Sequence, residues 1–233
     1  MCSKPYVTAI IVAAGNSTRM SGDISKQLIP LLGKPVIAYT FSAFEQADSI
    51  TDVVVVCREC DMQDIKAVAE SEGCKKIKAF TKGGATRCDS VRAGILAACD
   101  ETTHFAIHDG ARALILPQDI DKVVVSAMEC DAAALAVPVV DTVKIVDDDG
   151  FVLSTPDRCT LRAAQTPQVF EKNLYMSALE SSFSSEFTDD CALIETAGGS
   201  IRLVTGDYNN IKITTPGDVP LAETILSKRM KGE

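Results

Sequence analysis

The sequence predicts an α/β fold built on a mostly parallel sheet with helices on both faces. Near-continuous apolar runs of strand length, amphipathic helical patterns between them, and polar glycine-containing stretches just after several of the runs carry that prediction. Strands are expected at 7–14, 52–57, 76–81, 104–109 and 133–140, most of them near-continuous apolar segments, as buried parallel strands are. Helices are expected at 35–47, with Val36, Ile37, Phe41 and Phe44 on one face, and at 62–72, 86–99 and 117–130. Strands alternating with helices imply crossover connections, and such sheets hold ligands at the carboxyl ends of their strands.

Beyond Pro138 the rhythm changes. TVKIVDDDGFVLSTPDR alternates apolar and polar residues around an Asp-Asp-Asp-Gly turn, the pattern of a β-hairpin. A two-stranded ribbon is barely stable alone, so this arm, spanning 139–160 of an otherwise Rossmann-like domain, is expected to pack on a partner subunit. The remaining chain predicts helices at 172–182 and 189–197, a strand at 201–205, an extended segment at 210–214 and a closing helix at 217–230. With 233 residues, no linker and no repeat, the chain reads as one domain over 1–233.

Composition excludes several functions. A formal charge of −9 argues against nucleic acid as the main partner, because binding to a phosphate backbone needs a clustered basic face; any phosphate binding must be local. The nine cysteines are odd in number and scattered, which fits a reducing compartment better than a disulfide framework. Cys57 and Cys60 form a CxxC pair, yet the second Cys/His pair of a zinc site is missing. The run VTAIIVAAG leads into a polar loop rather than a cleavage site and reads as a strand, not a signal peptide. No apolar stretch reaches the length of a membrane span, about 20 residues.

Three stretches carry the chemistry. AAGNSTRMSGDISKQ joins a strand to a polar loop whose backbone N–H groups suit phosphate oxygens and whose Arg19 and Lys26 suit charge developing in phosphoryl or nucleotidyl transfer. The dinucleotide fingerprint GxGxxG and the P-loop pattern are both absent. In GGATRCDSVRAG, a glycine pair before a helix lets backbone approach a planar base, with Ser90 available to hydrogen-bond a ligand; a plain connector is the competing reading. IHDGARA ends the fourth strand at Asp109, with Arg112 just behind. A carboxylate there suits a Mg²⁺ ion beside a triphosphate, and a turn or cap residue is the alternative. His108 points to the opposite face from Asp109 and reads as structural. Thr142, Lys144, Arg158, Thr166, Thr188, Asp189 and Lys212 would suit a small phosphorylated polyol.

The succession AAGNSTRM, SKQ, GG followed by R and DSV, HDGAR, DTVK, DR, RAAQTPQ, TDD and NIKITTP resembles the 2-C-methyl-D-erythritol 4-phosphate cytidylyltransferase family from about Val7 to the final helix. The resemblance implies a Rossmann-like nucleotidyltransferase fold, a cytoplasmic homodimer interlocked through the arms, and transfer of CMP from CTP with release of pyrophosphate in non-mevalonate isoprenoid biosynthesis. It also implies residue roles. Arg19, Lys26 and Lys212 would stabilise the transition state and Asp109 would hold Mg²⁺. Backbone at Ala13, Ala14, Gly15 and Gly84, with Ser90, would bind the cytidine. Arg112, Thr166 and Thr188 would hold the acceptor, joined by Thr142 and Arg158 from the partner's arm. The chain departs from the pattern at Ser17 and Ala113, where glycine and proline are usual, and at Ala85, often acidic. Ribitol-5-phosphate cytidylyltransferase shares much of the motif set and is the nearest rival; a non-catalytic nucleotide-binding protein is the other.

Overall fold

A computed structural model of the chain describes residues 5–15, 25–182 and 187–232. In chain order its elements are β1 (Val7–Ala13), β2 (Pro30–Leu31), β3 (Lys34–Pro35), α1 (Val36–Gln46), β4 (Asp52–Cys57), α2 (Met62–Ser71), β5 (Ile77–Lys82), α3 (Arg87–Leu96) and β6 (His104–Asp109). They continue with α4 (Pro117–Cys130), β7 (Ala132–Pro138), β8 (Ile145–Val146), β9 (Val152–Ser154), β10 (Arg162–Glu171), α5 (Lys172–Ser181), α6 (Asp190–Thr196), β11 (Arg202–Thr205) and α7 (Asp218–Lys231).

The two-residue period of a strand sorts the core into layers. Ala9, Ile11 and Ala13 of β1, with Val53 and Val55 of β4, face α1, α2 and α4. Ile10 of β1, with Val54 and Val56, faces α3, α5 and α6. Both faces of the sheet are therefore covered, which is why these strands read as unbroken apolar runs. A third cluster packs α7 against Leu31, Val36, Ala113, Leu114 and Ile213.

Seven strands form the sheet in the order β11-β7-β10-β6-β1-β4-β5. All neighbouring pairs are parallel except those of β10, which runs antiparallel to both β6 and β7. The sequence pattern predicts no strand at this position. Pro167 cannot donate to a ladder and argues against a central strand, but the pairing with β7 shifts register between Ala164 and Gln168, and Pro167 falls in that irregularity. The segment 210–214 is not a strand; a bond from Ile213 N–H to Ala111 O draws Ile213 into the core.

The hairpin forms as expected from β8 and β9. Its turn is closed by Asp147, whose carboxylate accepts from Phe151 N–H at 2.8 Å, and Gly150 adopts φ +86°. Val140, Ile145, Val146, Phe151, Val152 and Leu153 are all at least half exposed on this arm. No helix among the described residues is long and apolar enough to cross a membrane.

Candidate functional site

Because β1, β4, β5 and β6 run parallel, the loops that leave their carboxyl ends gather on one edge of the sheet. A cavity of about 380 Å³ opens there, lined by Ala14, Gly15, Lys26, Arg58, Glu59, Lys82, Gly83, Gly84, Ala85, Arg87, Ser90, Asp109 and Lys212 among others. A second, of about 250 Å³, is lined by Arg87, Asp109, Arg112, Ala164, Gln165, Thr166, Gln168, Thr188, Asp189 and Lys212. Arg87, Asp109 and Lys212 belong to both cavities and mark where they meet.

The first cavity takes its shape from glycines. A Cβ on Gly83 would stand 2.2 Å from Ala14 Cβ, and one on Gly84 would stand 2.2 Å from Asp89 Cβ. The two loops can therefore touch only where side chains are missing. Thr86 caps α3 in a capping box with Asp89, while Ser90 Oγ accepts from Gly84 N–H at 3.1 Å and donates to Thr86 O. Ser90 thus braces the glycine turn. Ala13, in contrast, is buried in the core and does not line the cavity. Gly83→Ala is expected to force the loops apart and raise the KM for the nucleotide by about tenfold or more, since misplacement of about an ångström costs up to 10²-fold. Steady-state kinetics on the soluble variant reads this directly, and an unchanged KM would mean that the contact is dispensable.

At the junction, Asp109 is enclosed by cations. Lys212 Nζ lies 2.8 Å from Oδ2, Arg112 Nε 3.7 Å from Oδ2 and Arg87 Nε 3.6 Å from Oδ1. Burial alone would raise the Asp109 carboxyl, but Lys212, Arg87 and Arg112 outweigh it and hold the group well below the usual carboxylate range. The three cations thus favour the ionised form of Asp109. The loop after it contains Ala113, where proline is common, yet packing of Ala111, Ala113, Leu114 and Ile115 and the bonds Arg112 N–H to Asp109 O and Ile115 N–H to Arg112 O hold it. Arg112 also donates from Nη1 to Asn210 O at 2.8 Å, while its buried Nε lacks a hydrogen-bond partner among the described residues.

Thr166 joins the floor of the second cavity to the junction. Its hydroxyl accepts from Asp109 N–H at 3.1 Å and lies 3.0 Å from His108 Nδ1. With the Thr166 proton directed to Nδ1, the imidazole proton belongs on Nε2, which faces Arg112 O. His108 has the structural position expected of it: fully buried beneath the site and tilted against the Phe44 ring. Burial pushes its pKa down to about 3. Between that value and the ordinary 6.5 the unfolded chain binds the extra proton, so stability should fall as pH drops from 7 toward 4. His104, also drawn down by burial, acts in the same direction. A thermal denaturation series at constant ionic strength checks the sign, and a flat profile over that window would refute it.

The remaining sequence expectations divide. Lys26 and Lys212 reach the site, and Thr188 and Arg112 line the second cavity. Arg19 and Ser17 lie outside the described residues. Thr142 and Arg158 are exposed on the arm and border neither cavity of their own chain; Arg158 instead donates to Val140 O at 2.7 Å. Sequence reasoning assigned no role to Arg87, Gln168 or Asp190. The signals for Arg87 were its place in the motif of GG followed by R and DSV, and a cation at the first position of a helix, where the dipole disfavours it.

The family model described as IspD, 2-C-methyl-D-erythritol 4-phosphate cytidylyltransferase, matches residues 7–228. A protein of that name from Caldanaerobacter subterraneus subsp. tengcongensis is 43% identical over 225 residues, 95% of this chain and 99% of the relative. Another from Alkaliphilus oremlandii is 40% identical over 228 residues, 97% of each chain. Among solved structures, 4-diphosphocytidyl-2C-methyl-D-erythritol synthase from Anaerococcus prevotii aligns with a TM-score of 0.86 and 30% identity, covering 96% of this chain and 97% of its own. With a family model spanning nearly the whole sequence and relatives matched end to end, the chain belongs to the 2-C-methyl-D-erythritol 4-phosphate cytidylyltransferase family.

Proposed function

We propose that this protein transfers CMP from CTP to 2-C-methyl-D-erythritol 4-phosphate, giving 4-diphosphocytidyl-2-C-methyl-D-erythritol and pyrophosphate. The observation that carries the reading is the pair of cavities meeting at Arg87, Asp109 and Lys212, on a chain that matches this family throughout. The first cavity receives the nucleotide, with the base against backbone at Ala14, Gly15 and Gly84 and beside Ser90. A backbone carbonyl facing the cytosine 4-amino group would favour cytosine over uracil, whose oxygen there would oppose two acceptors. The second cavity receives the acceptor against Arg112, Thr166 and Thr188.

An acceptor phosphate oxygen attacks the α-phosphorus of CTP, the new P–O bond forms, and the bond to the β-phosphate oxygen breaks, releasing pyrophosphate with the electron pair. The attacking oxygen belongs to a phosphate monoester that is largely dianionic at neutral pH, so no general base is required. The difficulty is electrostatic, because two polyanions must meet. Lys26 and Lys212 stand where they offset that repulsion and the charge of the transition state, and Arg19 is assigned the same role from its motif. A site rich in cations on a chain of net charge −9 meets the requirement that phosphate binding be local.

Among the described residues no group of three or more Asp, Glu, His or Cys side chains is placed to hold a metal. One ionised carboxylate bordering both cavities nevertheless fits Mg²⁺, which takes one or two carboxylates and fills its shell with water and phosphate oxygens. Asp109 would hold it, and when bound the ion would neutralise charge on the triphosphate.

The reading includes a homodimer joined through the 139–160 arm of the single domain 1–233, bringing Thr142 and Arg158 to the partner's acceptor cavity. Support comes from the exposed apolar residues of a hairpin too small to be stable alone. A cytoplasmic location rests on the scattered cysteines. The deciding experiment is pyrophosphate release with CTP and Mg²⁺, run in parallel on methylerythritol phosphate and ribitol 5-phosphate. Turnover with the first is expected; turnover with the second alone would overturn the acceptor, and silence with both would point to a binding protein.

A further inference from the structure

Arg87 borders both cavities but has no part in the reaction as described above. It is the first residue of α3, a position where the helix dipole disfavours a cation. Burial would also draw its proton affinity down, yet Asp190 and Asp109 reverse the shift and raise it above the ordinary arginine value. Nη1 donates to Asp190 Oδ2 at 2.6 Å, and Nε lies 3.6 Å from Asp109 Oδ1.

Asp190 is in turn fixed from three sides. The buried Tyr175 hydroxyl donates to its Oδ1 at 2.7 Å, its own N–H donates to Gln168 Oε1 at 3.1 Å, and Arg87 takes the remaining oxygen. Gln168 Nε2 also donates to Asp189 Oδ2 at 2.8 Å. A continuous chain thus runs from Tyr175 in the core through Asp190 and Arg87 to Asp109. Asp190 directly follows Thr188 and Asp189, which line the acceptor cavity. For stability alone, apolar residues of similar volume would often serve as well as a buried ion pair. The charges lead into the junction of the two cavities.

We propose that Arg87, anchored by Asp190 and Tyr175, is a positioning residue of the transfer reaction: it fixes the Thr188–Asp189 loop relative to Asp109, so that the acceptor phosphate is held in line with the nucleotide. This rests on the functional reading above. The test compares Arg87→Lys, Asp190→Asn and Tyr175→Phe with wild type in steady-state turnover, with KM for each substrate, near-UV circular dichroism and melting temperature. Lysine keeps the charge but loses the fork that reaches both carboxylates. Asparagine keeps a partner for Tyr175 but loses the charge, and phenylalanine removes only a hydroxyl that borders neither cavity.

The expected result is a rise in acceptor KM on the order of tenfold for Arg87→Lys and Asp190→Asn, smaller for Tyr175→Phe, with CTP KM nearly unchanged. Tyr175→Phe combined with Asp190→Asn should be markedly less than additive, because the two act along one chain. Lower melting temperatures with kcat and both KM values unchanged would reduce the network to a structural brace and overturn the proposal. An equal rise in CTP KM would overturn it too, by making Arg87 a nucleotide contact. If Asp190→Asn does not fold, the other two variants decide. Wild-type protein inactive on methylerythritol phosphate would instead sink the functional reading, before any variant is compared.

Discussion

Lys26→Ala and Lys212→Ala are each expected to lower turnover by roughly 10² or more, the cost of removing one preorganised charge-stabilising group. The structure gives the two losses different signatures. Lys26 lines the nucleotide cavity only, whereas Lys212 borders both cavities and lies 2.8 Å from Asp109. Lys212→Ala removes a cation from the junction and also a partner from a buried carboxylate, so its acceptor KM should rise alongside the fall in kcat. Lys26→Ala should show its binding effect in CTP alone. Kinetics with each substrate varied separately resolves the two, and near-normal turnover of either folded variant would remove that lysine from the mechanism.

Asp109→Asn is expected to reduce Mg²⁺-dependent turnover by a similar or larger factor, about 10² or more. Its effect on nucleotide binding should have the opposite sign when metal is chelated. In the wild type one carboxylate offsets Lys212, Arg87 and Arg112; its amide leaves those cations uncompensated beside the cavity. CTP should therefore bind the variant at least as tightly as wild type in EDTA, while added Mg²⁺ helps it less. Calorimetric titration with and without metal checks both signs. Weaker binding to the variant in EDTA would show that Asp109 serves to hold the cations in place.

Much of the architecture was legible in the chain because it depends on period and composition. Near-continuous apolar runs located β1 and β4, a shorter one located β6, and the helical stripes between the strands located α1 to α4. The carboxyl-edge rule then pointed to the loops after β1, β5 and β6 before any contact was known. The arm was visible in its alternation and its Asp-Asp-Asp-Gly turn. Where local pattern conflicted with tertiary demand, the reading failed. Pro167 hid β10, since a proline in a central strand is tolerated only at an irregularity of the ladder, and the register shift that supplies one arises in the pairing with β7, not in the sequence around Pro167.

The sequence by itself determined the fold class, the family and the residue types needed to bring two phosphates together, because each is written in local pattern or in ordered motifs. Only the tertiary structure decided which charges meet. The partners Arg87 and Asp190 stand 103 positions apart in the chain, as do Asp109 and Lys212, and nothing in their neighbourhoods says which carboxylate neutralises which cation. Coulomb interaction falls with distance in space, not along the chain, so packing of α3 and α6 against the sheet had to place the partners before their charges had meaning.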